Sequence, residues 1–311
     1  MKGAIVALAG GVGAARFLEG LAGVVDPASL FVIVNTGDDA LIHGLHISPD
    51  LDTVTYTLAG LAHRERGWGL EGDSFRCLQA LERLGGETWF QLGDRDLATH
   101  LYRTARLSEG ASLSQVTRAI AAALGVRAAV VPMSDDPVRT RLRTPRGELE
   151  FQDYFVRRRQ RDRVLGVRFA GTARARPAPG VLEAIAKASA VVVCPSNPFI
   201  SIGPILAVKG IREALRRTRA PVAAVSPIVG GRALKGPAAS MMKSMGMRAS
   251  APGVAALYRD FVDIFVLDRA DGVLAPQVER LGMRAIVTAT VMRNRRGKIA
   301  LARAVLEALL P

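Results

Sequence analysis

The chain has 311 residues and a net charge of +14, which suits an anionic partner, although only six of its 42 basic residues are lysine and arginine-heavy usage can come from the coding sequence alone. Its length allows two domains of about 150 residues, or one α/β domain with an insertion. No apolar run approaches the ~20 residues that span a bilayer, and the two cysteines, Cys77 and Cys194, cannot build a disulfide framework or a four-thiolate zinc site and read as small buried hydrophobes.

The first 35 residues read strand, glycine loop, helix, strand. Met1 to Ala9 is too short and wrongly flanked for a secretory signal, so a cytoplasmic protein is expected. Its apolar run Ala4–Ala9 suits a strand covered on both faces. Gly10-Gly11-Val12-Gly13 follows, then Phe17, Leu18 and Leu21 at helical spacing, then the apolar run Leu30–Val34. This is a βαβ unit opening a doubly wound sheet. The span from about 60 to 170 breaks the alternation. Ser74–Leu84 and Ser112–Leu124 look helical, each opening on a serine able to cap. Val138–Thr144 and Glu148–Val156 flank Pro145-Arg146-Gly147 as a hairpin. The arginine run 157–163 reads as a solvated hairpin end, without the interleaved aromatics of a nucleic-acid groove. Alternation then returns. Strands are expected at 190–193, 222–225, 264–267 and 286–288, among helices at 181–188, 204–217, 253–259, 273–281 and 298–310. The expectation is a single Rossmann-like α/β domain over 1–311, a three-layer sandwich with a mainly parallel sheet. An inserted helical and hairpin cover occupies about 60–170.

Several strand-end segments carry chemistry. Gly10, Gly11 and Gly13 place backbone N–H groups at a helix start, where an anion can approach, although a tight structural turn would look the same. Arg16 stands at the third glycine position of the dinucleotide fingerprint, and no Gly-Lys-Ser/Thr ending follows, so nicotinamide enzymes and P-loop NTPases lose ground. Asp38, Asp39, Asp50 and Asp52 fall within fifteen residues. Oxygen ligands of this kind suit magnesium shared with substrate phosphates, with helix capping by Asp50 or Asp52 as the alternative. Arg95, between Asp94 and Asp96, can meet a phosphate or a carboxylate bidentately, or simply pair with its neighbours. Ser196, Asn197 and Pro198 form a second strand-end loop able to hold a nucleobase or phosphate, or to act as a capped turn. Trp68 can stack on a flat ring or pack the interior. The four histidines show no metal-ligand spacing, and no nucleophile elbow occurs.

Six ordered motifs carry a resemblance over nearly the whole chain. They are Gly10-Gly11-Val12-Gly13-Ala14-Ala15-Arg16-Phe17, Gly37-Asp38-Asp39, Pro49-Asp50-Leu51-Asp52-Thr53, the run Leu92–His100, Pro132-Met133-Ser134-Asp135-Asp136, and Pro195-Ser196-Asn197-Pro198 with Ser201–Ile205. Together they resemble the 2-phospho-L-lactate transferase family, with Ala14-Ala15-Arg16-Phe17 closest to its bacterial branch. The resemblance implies a magnesium-dependent, homodimeric transferase of coenzyme F-420 biosynthesis. Such an enzyme moves a three-carbon phosphoacid (2-phospholactate, phosphoenolpyruvate or 3-phosphoglycerate) from a guanosine-diphospho-linked donor to the deazaflavin precursor Fo, releasing GMP. In that reading Asp38, Asp39 and Asp52 hold magnesium. Gly10, Gly11, Gly13, Ser196, Asn197 and Pro198 hold the nucleotide. Asp50, Arg95 and Trp68 meet Fo, with Asp50 orienting its hydroxyl. Small molecules are then the expected partners, with no nucleic acid and no membrane. A nucleotide-sugar-binding regulator of the gluconeogenesis-factor type is the alternative, since it shares the glycine loop.

Overall fold

Short runs of valine, isoleucine, leucine and alanine form the strands of one sheet because helices cover both of its faces. In the computed structural model, which describes residues 3–309, seven strands take part. They are β1 (Ile5–Ala9), β2 (Leu30–Val34), β3 (Ala129–Pro132), β4 (Ala190–Val193), β5 (Val222–Val225), β6 (Ile264–Asp268) and β7 (Arg284–Thr288). All pair in parallel, in the order β7-β6-β5-β4-β1-β2-β3. Central β1 aligns Ile5 with Leu30 on one side and with Ala190 on the other. Successive side chains enter different layers: Val6 and Leu8 join one core, while Ile5, Ala7 and Ala9 join the other. The second core is closed by Phe17, Leu18 and Leu21 of α1 (Gly11–Ala22) and by Leu301 and Val305 of the last helix, Arg295–Leu309. Leu310, expected at the end of that helix, lies outside the described residues. The fold is therefore a Rossmann-like α/β sandwich.

The strand order reverses between β1 and β4. Open α/β sheets bind ligands outside the carboxyl ends of strands at such a point. Three segments meet there: the loop after β1, the loop after β4, and the chain from β2 into α2 (Pro49–Leu58).

The span expected as a cover contains α3 (Arg76–Arg83), α4 (Asp94–Ser108) and α5 (Leu113–Ala123). It also lends the edge strand β3 to the main sheet, a role its short Ala-Val-Val-Pro run did not announce. Ser112 caps α5 in a full capping box with Gln115. The expected hairpin is present at Arg139–Thr144 and Gly147–Glu150, but its second strand ends early. Phe151, Tyr154 and Phe155 follow at helical rather than alternating spacing, and a π-turn over Asp153–Arg157 buries Tyr154 with Leu142 and Met241. A third strand, Gly166–Ala170, pairs with the other side of Arg139–Thr144. The helix expected over 204–217 is two helices, Ile202–Ala207 and Ile211–Arg217, divided at Gly210, whose φ of +95° ends regular helix. Cys194 is buried as expected, whereas Cys77 is exposed, because α3 buries none of its residues.

Candidate active site

The glycine loop is shaped first by packing. A Cβ on Gly13 would lie 2.3 Å from the Pro195 carbonyl oxygen, and one on Gly10 would lie 2.7 Å from Ser201 Cβ and 2.9 Å from Asp50 Oδ2. Side chains there would force apart the three segments that meet at the switch point. Gly11 has a φ of +71°, and its N–H donates to Asp50. The positive end of α1 thus faces a carboxylate of the protein itself.

Asp50 is buried in the first turn of α2 and accepts a 2.8 Å hydrogen bond from Asn35 Nδ2. Asn35 directly follows β2 and is itself oriented: its Nδ2 also reaches the Ile200 carbonyl at 3.2 Å, and its Oδ1 accepts from the Gly37 N–H at 2.8 Å. Burial raises the Asp50 pKa to about 6, against the lowering effect of the Asn35 and Gly11 donors. Asp38 is raised well above the usual carboxylate range, by burial first and then by the nearby Asp50. One of its oxygens, Oδ1, is buried with no hydrogen-bond partner. Two buried carboxylates close together, one with an orphan oxygen, are costly alone and suit a divalent cation. Among the described residues no three His, Cys, Asp or Glu side chains converge as a ready-made metal cluster. Magnesium takes one or two carboxylates and completes its shell with water and substrate phosphates, so Asp38 and Asp50 are the residues that could hold it.

The other two aspartates have different surroundings. Asp39 Oδ2 accepts from Ser48 at 2.8 Å, and burial lifts the pKa to about 7 in spite of the charges on Arg139 and Arg103. Asp52 is taken up by Arg103, whose Nη1 donates to Oδ2 at 3.1 Å and whose Nη2 meets Oδ1. Burial opposes the Arg103 charge, but Asp52 outweighs it and holds the guanidinium pKa above its usual value. His100 lies beside this pair, 3.3 Å from Arg103 Nη1 and 3.3 Å from Asp96 Oδ2. Tyr56 donates to Asp96 Oδ1 at 2.7 Å. Tyr56, Asp96, His100, Arg103 and Asp52 therefore form one buried polar chain that fastens α2 to α4 beneath the cleft. Asn35, Tyr56, His100 and Arg103 were missed in the sequence because their partners lie far along the chain; the one local signal was the four-residue spacing of Asp96 and His100.

The Leu92–Asp96 motif also has a structural role. Asp94 accepts from the N–H groups of Arg76 and Cys77 at 3.0 and 2.9 Å, capping α3. Asp73, just before α3, accepts from the N–H groups of Arg95 and Asp96 at 2.8 and 3.0 Å, capping α4. Each helix start is thus capped by an aspartate from the other, and the serine expected to cap α3, Ser74, instead donates to Asp94 at 2.5 Å. Gly93 permits this exchange, since a Cβ there would lie 2.2 Å from Asp73 Oδ2. Arg95 is exposed, and its guanidinium donates to the Glu71 carbonyl at 3.1 Å.

One cleft of about 870 Å³ brings together Gly10, Gly11, Gly13, Asp38, Asp50 and Asp52. Trp68, Ser196 and Asn197 also line it, whereas Asp39, Arg95 and Pro198 do not. Ser196 donates to the Gly10 carbonyl at 2.9 Å, and Asn197 Oδ1 accepts from the Phe199 N–H at 2.9 Å, so this loop is both a capped turn and a wall of the cleft. Trp68 lies under the Arg66 guanidinium, 4.9 Å from the ring centroid. Lys235 also reaches the cleft and donates to the Arg66 carbonyl at 3.2 Å. Its pKa is lowered, by burial first and then by the like charge of Arg16. Arg16 and Lys235 thus place two positive charges in the wall of the cleft.

Buried acids and cations thus meet at the switch point of a parallel sheet, where open α/β sheets bind ligands. The family model of the 2-phospho-L-lactate transferase CofD matches residues 5–292, and the chain belongs to that family. It is 42% identical over 306 residues to the 2-phospho-L-lactate transferase of Methanothermobacter thermautotrophicus, covering 98% of each chain. It is 45% identical to the phosphoenolpyruvate transferase of Kitasatospora aureofaciens, covering 90% of this chain and 89% of that one. A crystal structure of a upf0052 family member from Bacillus halodurans shares the fold, with a TM-score of 0.65 at 18% identity over 98% of this chain and 99% of that one.

Proposed function

We propose that this chain transfers a three-carbon phosphoacid from a guanosine-diphospho-linked donor to the deazaflavin precursor Fo, with release of GMP, in coenzyme F-420 biosynthesis. Membership of the transferase family over almost the whole chain is the observation that carries this reading. A cytoplasmic, homodimeric enzyme is part of it; among the described residues, no helix is long and apolar enough to cross a membrane.

The chemistry needs positioning and charge stabilisation more than covalent help. A hydroxyl of Fo bonds to the phosphorus that carries the acid. The bridging P–O bond breaks, and GMP leaves with the bonding electrons. Asp50 accepts the hydroxyl proton; its pKa of about 6 leaves it mostly ionised at neutral pH yet basic enough to help. Asn35 and the Gly11 amide fix its orientation. Asp38 would hold magnesium, which stabilises phosphate charge when bound, while Asp52 anchors Arg103. Arg16 and Lys235 offer cations for the diphosphate. Trp68, Phe90, Phe151 and Phe155 give the cleft an aromatic side for the deazaflavin ring.

Mass spectrometry of the product formed from Fo with each donor tests the activity and identifies the acid. A Fo phosphodiester is expected with at least one donor, and none with any donor overturns the reading. Trp68→Ala should weaken Fo binding by up to about tenfold, since a stacked aromatic pair contributes ~0.5–1.5 kcal/mol, and leave GDP binding nearly intact by calorimetry. Lost GDP affinity with Fo affinity retained would place the guanine, not the deazaflavin, at Trp68.

A further inference from the structure

A second concentration of positive charge lies beside the cleft. Arg146, Arg157, Arg158, Arg159, Arg161 and Arg163 line a concavity of about 630 Å³, in which Asp162 is the one lining carboxylate. Local acids neutralise little of it. Asp153 and Asp162 both go to Arg158, at 2.9 and 3.7 Å, and Glu87 goes to Arg157 at 3.0 Å. Arg146, Arg159, Arg161 and Arg163 make no ion pair among the described residues.

The display rests on a fixed base. The rings of Phe151 and Phe155 stack at 5.1 Å, and Tyr154 and Val164 are buried on either side of the run. Arg159 and Gln160 follow with φ of +52° and +59°, a conformation that side chains rarely adopt. The Gln160 N–H closes this turn on the Tyr154 carbonyl at 2.9 Å. Arg159 lines both this concavity and the transfer cleft.

The chemistry of the walls limits the occupant. Guanidinium groups are planar forks matched to phosphate oxygens. No aromatic residue lines the concavity, so it offers no platform for a nucleobase or a single strand. Its volume lies in the small-molecule range. We propose that this concavity is a second anion site, next to the transfer cleft and sharing only Arg159 with it, that takes a compact, multiply charged phosphate of the pyrophosphate class. That ligand is a free anion rather than the diphosphate end of a nucleotide seated in the cleft.

Calorimetry on the full chain with pyrophosphate as probe, with and without saturating GDP, tests the site. The wild-type chain should bind pyrophosphate in the presence of GDP. Arg161→Ala with Arg163→Ala should weaken that binding at least tenfold while leaving the melting temperature and GDP affinity unchanged. Arg118→Ala with Arg303→Ala removes the same charge from exposed positions elsewhere and should leave pyrophosphate binding within about twofold. Equal losses in the two double variants would make the effect one of overall charge and overturn the site. So would unchanged binding in the first double variant, and so would abolition of pyrophosphate binding by GDP, which would make the cleft the anion's place. A chain that binds no GDP but loses pyrophosphate on replacement of Arg161 and Arg163 would keep this site and sink the nucleotide-donor reading instead.

Discussion

Asp50→Asn is expected to lower turnover by about 10²-fold or more, the scale seen when a group that stabilises reacting charge is removed, and to make the ligand-free protein more stable at neutral pH. Both effects follow from one buried carboxylate. Asparagine keeps the shape and can still accept from Asn35, but it cannot take the hydroxyl proton. The folded pKa of Asp50 is raised to about 6, above its unfolded value, so the folded state binds more protons than the unfolded state between about pH 4 and 6. Stability is therefore fully present below about pH 4 and falls as pH rises toward 6. The variant should gain on the order of 1–3 kcal/mol above that window and nothing below it. Asp38 adds to the gain, because its own pKa is raised in part by the neighbouring Asp50 charge. Urea denaturation at pH 4 and pH 8, beside steady-state turnover, measures both halves. Unchanged turnover would remove Asp50 from the chemistry. A variant less stable than wild type at pH 8 would refute the electrostatic account.

Arg103→Met should have the opposite effect on stability, costing about 3–5 kcal/mol. Arg103 is among the largest fully buried side chains, and Asp52 uses both oxygens on it. Methionine fills much of the space but strands the Asp52 carboxylate in the interior without the guanidinium that both of its oxygens meet. The diagnostic partner is Arg103→Met with Asp52→Asn, which removes the stranded charge and should recover a large part of the loss. Denaturation midpoints for the single and double variants decide the matter. A double variant no more stable than Arg103→Met would mean that packing, not charge, dominates the site. Turnover should fall in the single variant as well, because the first turn of α2 carries Asp50 together with Asp52.

The parts of this architecture legible in the sequence are those with local causes. The strand, glycine loop and helix at 5–22 follow from an apolar run, a cluster of residues without side chains, and a change of period. Asp38 and Asp50 stood out because carboxylates at strand ends are conspicuous. The partners that define them did not. Asn35 meets Asp50 across 15 residues, Tyr56 meets Asp96 across 40, and Arg103 meets Asp52 across 51. Asp94 announces a helix start, yet that it also caps α3 is a tertiary fact. Arg95 illustrates the limit in the other direction. Its guanidinium suits a phosphate or carboxylate, with pairing to its flanking aspartates as the alternative, whereas its backbone N–H is held by Asp73 and its side chain rests on the Glu71 carbonyl outside the cleft.

The central position of β1 has a consequence for biosynthesis. Its β2 neighbour follows within the same βαβ unit, but β4, its partner on the other edge, is made about 180 residues later. During synthesis at ~5–20 residues per second, that edge of β1 stays unpaired for roughly 10–40 s. Ile5, Ala7 and Ala9 point into one layer and Val6 and Leu8 into the other, so the waiting strand is apolar on both faces. The nascent chain therefore presents a sticky, half-built sheet through much of its translation, and the yield of native enzyme should depend on chaperone capacity more strongly than its finished stability would suggest.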